Sequence, residues 1–142
     1  MDMKLEAVVL PVSDVERAKA FYCAIGFRED GDHASANDHR VVRFTPLGSA
    51  ASIIFGTGIT AAVPGSIQGL VLTVPDIQAA VVALRDRGID VTDVFHDIGG
   101  VFYHASPAYE IPGLDPARRN HASFARFEDP DGNGWVIEEV RS

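Results

Sequence analysis

A repeat of one sequence unit at a fixed spacing constrains the fold of this chain more than any other feature. Six residues of the first third return 62 positions later without a gap. They are Val9, Leu10, Val12, Asp14, Ala18 and Gly26, which recur as Val71, Leu72, Val74, Asp76, Ala80 and Gly88. Each copy has the pattern of an apolar strand, a turn at the aspartate, and a helix that ends at the glycine. Because 142 residues are too few for two ordinary domains, the copies are the halves of one domain.

The stretches between these units predict the remaining elements. Helices are expected at 14–25 and 76–87, and Ser13 with Glu16 offers a capping box to the first. Strands are expected at about 27–29, 40–45, 51–55, 91–96, 122–127 and 134–140. Residues 31–38 are polar and poor in strand formers, which predicts a loop. The Asp-Pro-Asp-Gly-Asn-Gly sequence at 129–134 predicts a tight turn and therefore a terminal hairpin.

The order of elements predicts an α+β fold made of two βαβββ modules in a pseudo-twofold repeat. Module one covers 5–56, a linker covers 57–67, and module two covers 68–140. A long insertion at 97–121 interrupts module two. A connection of that length in a compact domain is more often a functional lid or rim than filler.

Charge and cysteine content narrow the class of partner. A formal net charge of −8 and a pI near 4.9 argue against nucleic acid or an anionic membrane as the main partner. Cys23 is the only cysteine, so no disulfide framework within the chain is predicted. Neither a signal peptide nor an apolar run of membrane-spanning length is recognisable, and we expect a cytoplasmic protein.

Several of these segments together resemble the vicinal-oxygen-chelate superfamily, which includes glyoxalases, bleomycin-resistance proteins and extradiol dioxygenases. The resemblance rests on Val-Leu-Pro-Val-Ser-Asp-Val-Glu-Arg-Ala at 9–18, Phe21-Tyr22, Gly26-Phe27, the repeat at 69–88 and Phe-Glu-Asp-Pro-Asp-Gly-Asn at 127–133. It implies a glyoxalase-like fold, an incomplete barrel of two modules around a ligand cavity, usually in a homodimer.

The resemblance also implies a divalent metal site, with ligands from the first and last strands of each module. The corresponding positions here are Ala7 and Ile53 in module one, and Gly69 and Val136 in module two. None of these side chains offers a nitrogen or oxygen donor, which a divalent cation needs. We therefore expect no cofactor, with a divalent metal possible only at a non-standard site.

Three residues are the candidate catalytic groups: His96, His104 and Glu138. If Gly99-Gly100 forms a hairpin, His96 and His104 face each other across it. With His121 or Glu138 they would form a ligand cluster or an acid–base pair; ordinary loop histidines are the alternative. Glu138 shares a face with Val136 because side chains alternate along a strand, or it reaches solvent at the strand end.

A set of apolar and aromatic residues is predicted to bind the ligand. The candidates are Phe44, Ile53, Phe55, Phe102, Tyr103 and Val136. Core packing is the alternative for about half of the aromatic residues, because alternation sends some of them toward the helices. The pair Arg118-Arg119 could hold a carboxylate or phosphate at the rim or remain solvated.

The leading hypothesis is a small-molecule binding protein of the bleomycin-resistance type, with an apolar cavity and no standard metal site. Its ligand would be a small, flat aromatic or apolar compound, since an apolar aromatic pocket with few polar groups suits one. The alternative is an enzyme: a metal-dependent lyase or dioxygenase, or a metal-free isomerase, using a non-standard His/Glu site.

Overall fold

The computed structural model describes all 142 residues as two compact units. The first unit contains residues 1–68 and 129–133, and the second contains residues 69–128 and 134–142. The elements are β1 (Ala7–Val9), α1 (Val15–Ala24), β2 (Arg28–Ser35), β3 (His39–Thr45), β4 (Ser52–Thr57), β5 (Leu70–Val74), α2 (Ile77–Asp86), β6 (Phe95–Asp97), β7 (Glu110–Pro112), β8 (Phe124–Glu128) and β9 (Gly134–Glu139).

The first unit is a four-stranded sheet with one helix packed on it. The strand order is β1-β4-β3-β2, with β1 parallel to β4 and the other pairs antiparallel. Tyr22 of α1 packs against Phe55 and Phe44, with ring centroids 5.7 and 6.5 Å from its own. Its hydroxyl donates to Asp129 Oδ2 at 2.8 Å. The turn at 129–133 is therefore tied to the first unit.

The second unit repeats this plan with one additional strand. The order is β5-β9-β8-β6-β7, with β5 parallel to β9 and the other pairs antiparallel. The additional strand β7 and a short 3-10 turn at Pro107–Tyr109 lie inside the predicted insertion. Ile77 and Val81 are the buried residues of α2. The predicted α+β fold of two modules is confirmed. Neither α1 nor α2 has the length and the apolar run that a membrane-spanning helix needs.

Both helices begin at the repeated aspartate. Asp14 Oδ1 accepts from the backbone N–H of Arg17, and Asp76 Oδ1 accepts from that of Ala79, each at 3.0 Å. The predicted capping box is wrong, because Asp14 is the N-cap and Ser13 has another partner. The Ser13 backbone N–H and hydroxyl both donate to the Asp131 carboxylate, at 3.1 and 2.5 Å.

The predicted loop at 31–38 is also wrong over most of its length. Strand β2 continues through residue 35, paired with β3 from Arg28↔Thr45 to Ser35↔His39, with a register irregularity between Glu29 and Gly31. The chain then turns through Asn37 and Asp38, both in the left-handed region. As an edge strand with mostly exposed side chains, β2 has no apolar alternation by which to recognise it.

Candidate ligand-binding site

The second sheet has one face covered by α2 and one face without a helix. Glu139 marks the covered side, because its Oε2 accepts from the backbone N–H of Ile77 at the start of α2. Side chains alternate along a strand, so Glu138 and Val136 lie on the opposite side. Strand pairing extends this helix-free face across the sheet. It carries Val71, Thr73, Phe95, Phe124, Arg126, Val136 and Glu138.

An apolar aromatic cluster forms the middle of the helix-free face. Phe95, Phe124 and Val136 are buried together, and Tyr103 from the insertion packs against them. The Phe95 and Phe124 rings are 5.7 Å apart, and Tyr103 meets Phe124 edge to face at 5.3 Å. Rings at these distances and angles stabilise one another beyond simple burial. The cluster is therefore an ordered aromatic core on this side of the sheet, and Tyr103 is its partly exposed member.

Arg126 brings one guanidinium group to this surface. It is paired with Val136 across the β8–β9 ladder. Its guanidinium carbon lies 4.6 Å from the Phe95 ring centre and 5.6 Å from that of Tyr103. Glu110 of β7 forms an ion pair with it. Burial lowers the pKa of Arg126, and this effect is larger than the electrostatic interactions with Tyr103 and Asp97, which raise it. A cation stacked on two rings can recognise a planar, electron-rich ligand.

A histidine–carboxylate pair lies at one end of the same face. His121 Nδ1 is 2.6 Å from Glu138 Oε1. The Glu138 side chain is 11% exposed and the His121 side chain 44% exposed. Glu138 is also paired in register with Phe124. The pair therefore combines a nearly buried carboxylate with an accessible imidazole beside the aromatic cluster.

The positions that the family resemblance assigns to metal ligands carry no donor side chain, and one of the four assignments needs a correction. In the parallel ladders Val9 pairs with Ile54 and its repeat equivalent Val71 pairs with Val136. The counterpart of Val136 in the first unit is therefore Ile54, and the prediction of Ile53 was one residue off. Ile54 is also aliphatic, so the donor set still does not fit a divalent cation.

Tyr103 lies beside one of these four positions, Gly69. A Cβ built on Gly69 would lie 3.9 Å from the hydroxyl oxygen of Tyr103. Tyr103 thus occupies space next to a position where a metal ligand would project. Elsewhere too, no three His, Cys, Asp or Glu side chains are grouped so that they could hold a metal ion.

Phe44, Ile53 and Phe55 were predicted to face the ligand, and the structure places them on the helix side of the first sheet. Phe44 and Phe55 are fully buried, with stacked rings 5.7 Å apart and Tyr22 of α1 packed on both. Ile53 pairs with Phe44 and is two residues from Phe55, so it shares their side. These three residues form core, and Ala7, which was predicted to share a face with Ile53, lies on the other side of the sheet.

Tyr103 packs against the cluster that contains Val136, and Phe102 precedes it in the chain. Phe102 stacks on His121 with ring centroids 6.3 Å apart. Its backbone N–H donates to the carbonyl of His121 at 2.9 Å. Phe102 and His121 have positive φ angles of 69° and 62°, which non-glycine residues rarely adopt.

His96 and His104 do not face each other. The Gly99-Gly100 turn closes a single bridge, Asp97↔Gly100, and β7 rather than the following residues pairs with β6. His96 Nδ1–H donates to the Gly113 carbonyl, whereas His104 Nδ1–H donates to Asp97, each at 2.9 Å. The predicted cluster of His96, His104 and Glu138 is therefore not formed.

Asp97 holds the start of the insertion together. It is buried and accepts from the backbone N–H groups of Gly99 and His104 at 2.8 and 2.9 Å, besides the imidazole of His104. Burial raises the pKa of Asp97, but these hydrogen bonds outweigh it and the net pKa is lowered. The His104 ring also stacks on Tyr109 at 4.0 Å. This pair has a structural role.

Arg118 and Arg119 are both engaged inside the second unit. Arg118 donates two hydrogen bonds to the buried Glu139, at 2.8 and 3.0 Å. Arg119 donates to Asp115 at 3.0 and 2.7 Å, and this lowers the pKa of Asp115 to about 2. Neither the predicted ligand contact nor a solvated pair describes them. Both arginines fix the insertion.

The most important residue that sequence reasoning missed is Arg126. The turn at 129–134 was recognised, and that turn pairs Phe127 with Trp135 and Arg126 with Val136. Counting backward from the turn would have placed a cation beside Val136. The position of Phe95 could not be found in this way. It reaches the cluster through a single residue pair between β6 and β8, and no turn in the sequence marks that pair.

Comparison with known proteins decides the family. The family model described as "Glyoxalase/Bleomycin resistance protein/Dioxygenase superfamily" matches residues 4–137. The chain belongs to this superfamily. No curated protein matches it.

Solved structures of the superfamily have the same fold. An antibiotic binding protein from Streptomyces sp. CB03234, TnmS3, is 26% identical with a TM-score of 0.68, over 97% of this chain and 96% of its own. A glyoxalase/bleomycin resistance protein from the same organism is 26% identical with a TM-score of 0.65, over 95% and 99%. A superfamily member from Sphaerobacter thermophilus DSM 20745 is 24% identical with a TM-score of 0.70, over 98% of each chain.

Proposed function

We propose that this superfamily member binds a small, flat, aromatic or apolar organic molecule on the helix-free face of the second sheet. The observation that carries the proposal is the aromatic cluster of Phe95, Phe124, Val136 and Tyr103, over which the Arg126 guanidinium is stacked. The partly exposed Tyr103 ring and the exposed Val71 supply apolar contact area, the buried Phe95 and Phe124 rings hold Tyr103 in place, and a few polar groups then orient the ligand. Sequestration of the ligand is the role that follows.

The relatives support a ligand of this kind. TnmS3 is an antibiotic binding protein and covers nearly the whole chain. We therefore propose that the ligand belongs to the range of natural and synthetic organic compounds that includes antibiotics. Shared fold does not decide chemistry within a superfamily, so the surface of this chain remains the main argument.

We propose that binding needs no metal. Ala7, Ile54, Gly69 and Val136 supply no donor atoms, and Tyr103 lies next to Gly69. A metal-dependent lyase or dioxygenase is the alternative, and it makes a separate prediction. Elemental analysis of untagged protein, followed by titration with nickel, zinc, manganese and ferrous iron, would then find a near-stoichiometric metal that disappears in Glu138→Gln.

Titration with a neutral, flat dye tests the binding site. Nile red fluoresces strongly in apolar surroundings, and bleomycin can be tested as its competitor. Val71 and Val82 offer a matched pair of variants, because both are exposed valines of the second unit, at 45% and 59%. Val71 lies on the helix-free face, whereas Val82 lies on α2.

A carboxylate on the helix-free face would have to be desolvated by the dye. We expect Val71→Asp to raise the Kd for Nile red about tenfold and Val82→Asp to leave it within about twofold. An equal loss of affinity in both variants, or no saturable binding to the unmodified protein, would contradict the proposal. Light scattering on the same samples tests the homodimer that we expect from the family resemblance.

A further inference from the structure

We propose that His121 is a general base for a proton transfer on the helix-free face, with Glu138 as its positioning residue. The inference rests on the proposed function, because the acid to be deprotonated must first bind beside the aromatic cluster. It assigns to the protein a reaction class, removal of a proton from a carbon or oxygen acid, that simple sequestration does not include.

The hydrogen bond between the two side chains fixes which nitrogen is available. Glu138 Oε1 and His121 Nδ1 are 2.6 Å apart, and an ionised carboxylate can only accept. Nδ1 therefore carries the proton of the neutral imidazole, and Nε2 keeps its lone pair. A carboxylate that orients an imidazole in this manner also stabilises the imidazolium that forms when Nε2 takes up a proton.

Exposure divides the roles between the two residues. The Glu138 side chain is 11% exposed and that of His121 44% exposed. A ligand can therefore reach the imidazole while the carboxylate behind it stays largely out of water. This is the arrangement that a general base needs, since it has to come within hydrogen-bond distance of the proton it removes.

The backbone fixes the imidazole beside the aromatic surface. The His121 backbone N–H donates to the Glu139 carbonyl at 3.0 Å, and its own carbonyl accepts from Phe102 at 2.9 Å. Phe102 stacks on the imidazole, and the next residue, Tyr103, packs on Phe124. Positive φ at both His121 and Phe102 costs free energy, which the surrounding contacts must offset. A ligand bound beside Phe102, which is exposed, would thus lie next to this imidazole.

The second histidine–carboxylate pair of this unit also joins an exposed imidazole, at 51%, to a buried carboxylate, at 1%, but it differs in its surroundings. Asp97 binds two backbone N–H groups as well as His104, and Tyr109 covers one face of that imidazole at 4.0 Å. His104 therefore serves as the matched comparison for His121. Glutamine at either position keeps a donor for the carboxylate and removes the base.

Nitrobenzisoxazole is a suitable probe, since it is flat, aromatic, neutral and a carbon acid. In the expected step His121 Nε2 takes the proton from the ring carbon next to nitrogen. The C–H electron pair forms the carbon–nitrogen triple bond, and the N–O bond breaks with its electrons moving to oxygen. The product is a coloured cyanonitrophenolate, and the imidazolium then returns its proton to water. No oxidant or metal takes part.

The test measures kcat and KM for this elimination, and displacement of Nile red by the same probe. We expect saturable catalysis above that of free imidazole, a loss of about a hundredfold in kcat/KM in His121→Gln, and a change within about twofold in His104→Gln. Glu138→Gln should lower kcat with little change in KM, and Glu138→Asp should recover part of it. A merely structural carboxylate would not give this split.

The outcomes separate the two proposals. Displacement of Nile red without catalysis above free imidazole, or equal losses in the two glutamine variants, would overturn the general base and leave ligand binding standing. Failure of both Nile red and nitrobenzisoxazole to bind the unmodified protein would overturn the proposed function, and the base with it. Circular dichroism of each variant establishes that it is folded before its rates are compared.

Discussion

Replacing Arg118 by alanine should strongly destabilise the protein, because it leaves a buried carboxylate without its main partner. Glu139 is fully buried and Arg118 is 32% exposed. Arg118 donates hydrogen bonds of 2.8 and 3.0 Å to the two carboxylate oxygens, and the N-terminal N–H of α2 adds one at 3.0 Å. The arginine lowers the pKa of Glu139, against the effect of burial.

The magnitude follows from what remains after the substitution. Removing one partner of a buried ion pair costs about 3 to 5 kcal/mol. The α2 N–H still binds the carboxylate, and water can enter where the part-exposed arginine was. We therefore expect a loss near the lower limit, about 3 kcal/mol. With a urea slope of about 2 kcal/mol per molar, the unfolding midpoint should fall by about 1.5 M.

Arg43→Ala is the matched control in a urea titration followed by circular dichroism. Arg43 is 33% exposed, almost the same as Arg118, but its partner Glu6 is 78% exposed. Such surface pairs contribute less than about 1 kcal/mol. The double variant Arg118→Ala/Glu139→Gln should be more stable than Arg118→Ala alone, because it also removes the unpaired charge. Equal losses in the two single variants would refute the argument from burial.

Two further predictions concern acid stability and the core. Because Arg119 holds the pKa of Asp115 at about 2 instead of 3.8, ionised Asp115 stabilises the fold above about pH 4, and this contribution is lost as the pH falls toward 2. The stability difference between the unmodified protein and Asp115→Asn should therefore shrink between pH 4 and pH 2, and a constant difference would contradict it. Phe44→Leu should cost about 1 to 2 kcal/mol in urea unfolding while the Kd for Nile red stays within twofold, and a weakened Kd would return Phe44 to the ligand site.

Much of the fold could be predicted because local sequence determines it. Asp14 and Asp76 cap their helices in equivalent ways, and the repeat aligns β1 with β5. The turn at 129–134 could be recognised for the same reason, as its Pro, Gly and Asn residues suit a tight turn. These elements depend on contacts within a few residues, which the sequence displays directly.

The wrong assignment of Ile53 and Phe55 to the ligand face has its physical origin in the period of a strand. A shift of one residue reverses every side chain of a strand, so the assignment of Ile53 in place of Ile54 exchanged the two faces of β4. Phe55, which shares a face with Ile53, was assigned to the ligand for this reason. No turn of fixed geometry marks β4, whereas the terminal hairpin has one, and Val136 was accordingly placed on the correct face.

The candidate site could be predicted only in part, because it depends on contacts between distant residues. Glu138 was singled out from alternation, and His121 was one of several histidines that could have joined it. Their hydrogen bond depends on the path of the insertion, and so does the position of Tyr103 over Phe124. The separation of His96 from His104 depends on β7, which no sequence pattern indicated.

Mapping the bound dye by NMR of the methyl groups would locate the ligand directly. Val71 is exposed and Val136 is buried in the aromatic cluster, and both have methyl groups on the helix-free face. Val42 and Ile53 are core residues of the first unit. With Nile red added to saturation, we expect the methyl resonances of Val71 and Val136 to shift and those of Val42 and Ile53 to stay in place. Saturable binding that leaves Val71 and Val136 unshifted would contradict a ligand site on this face.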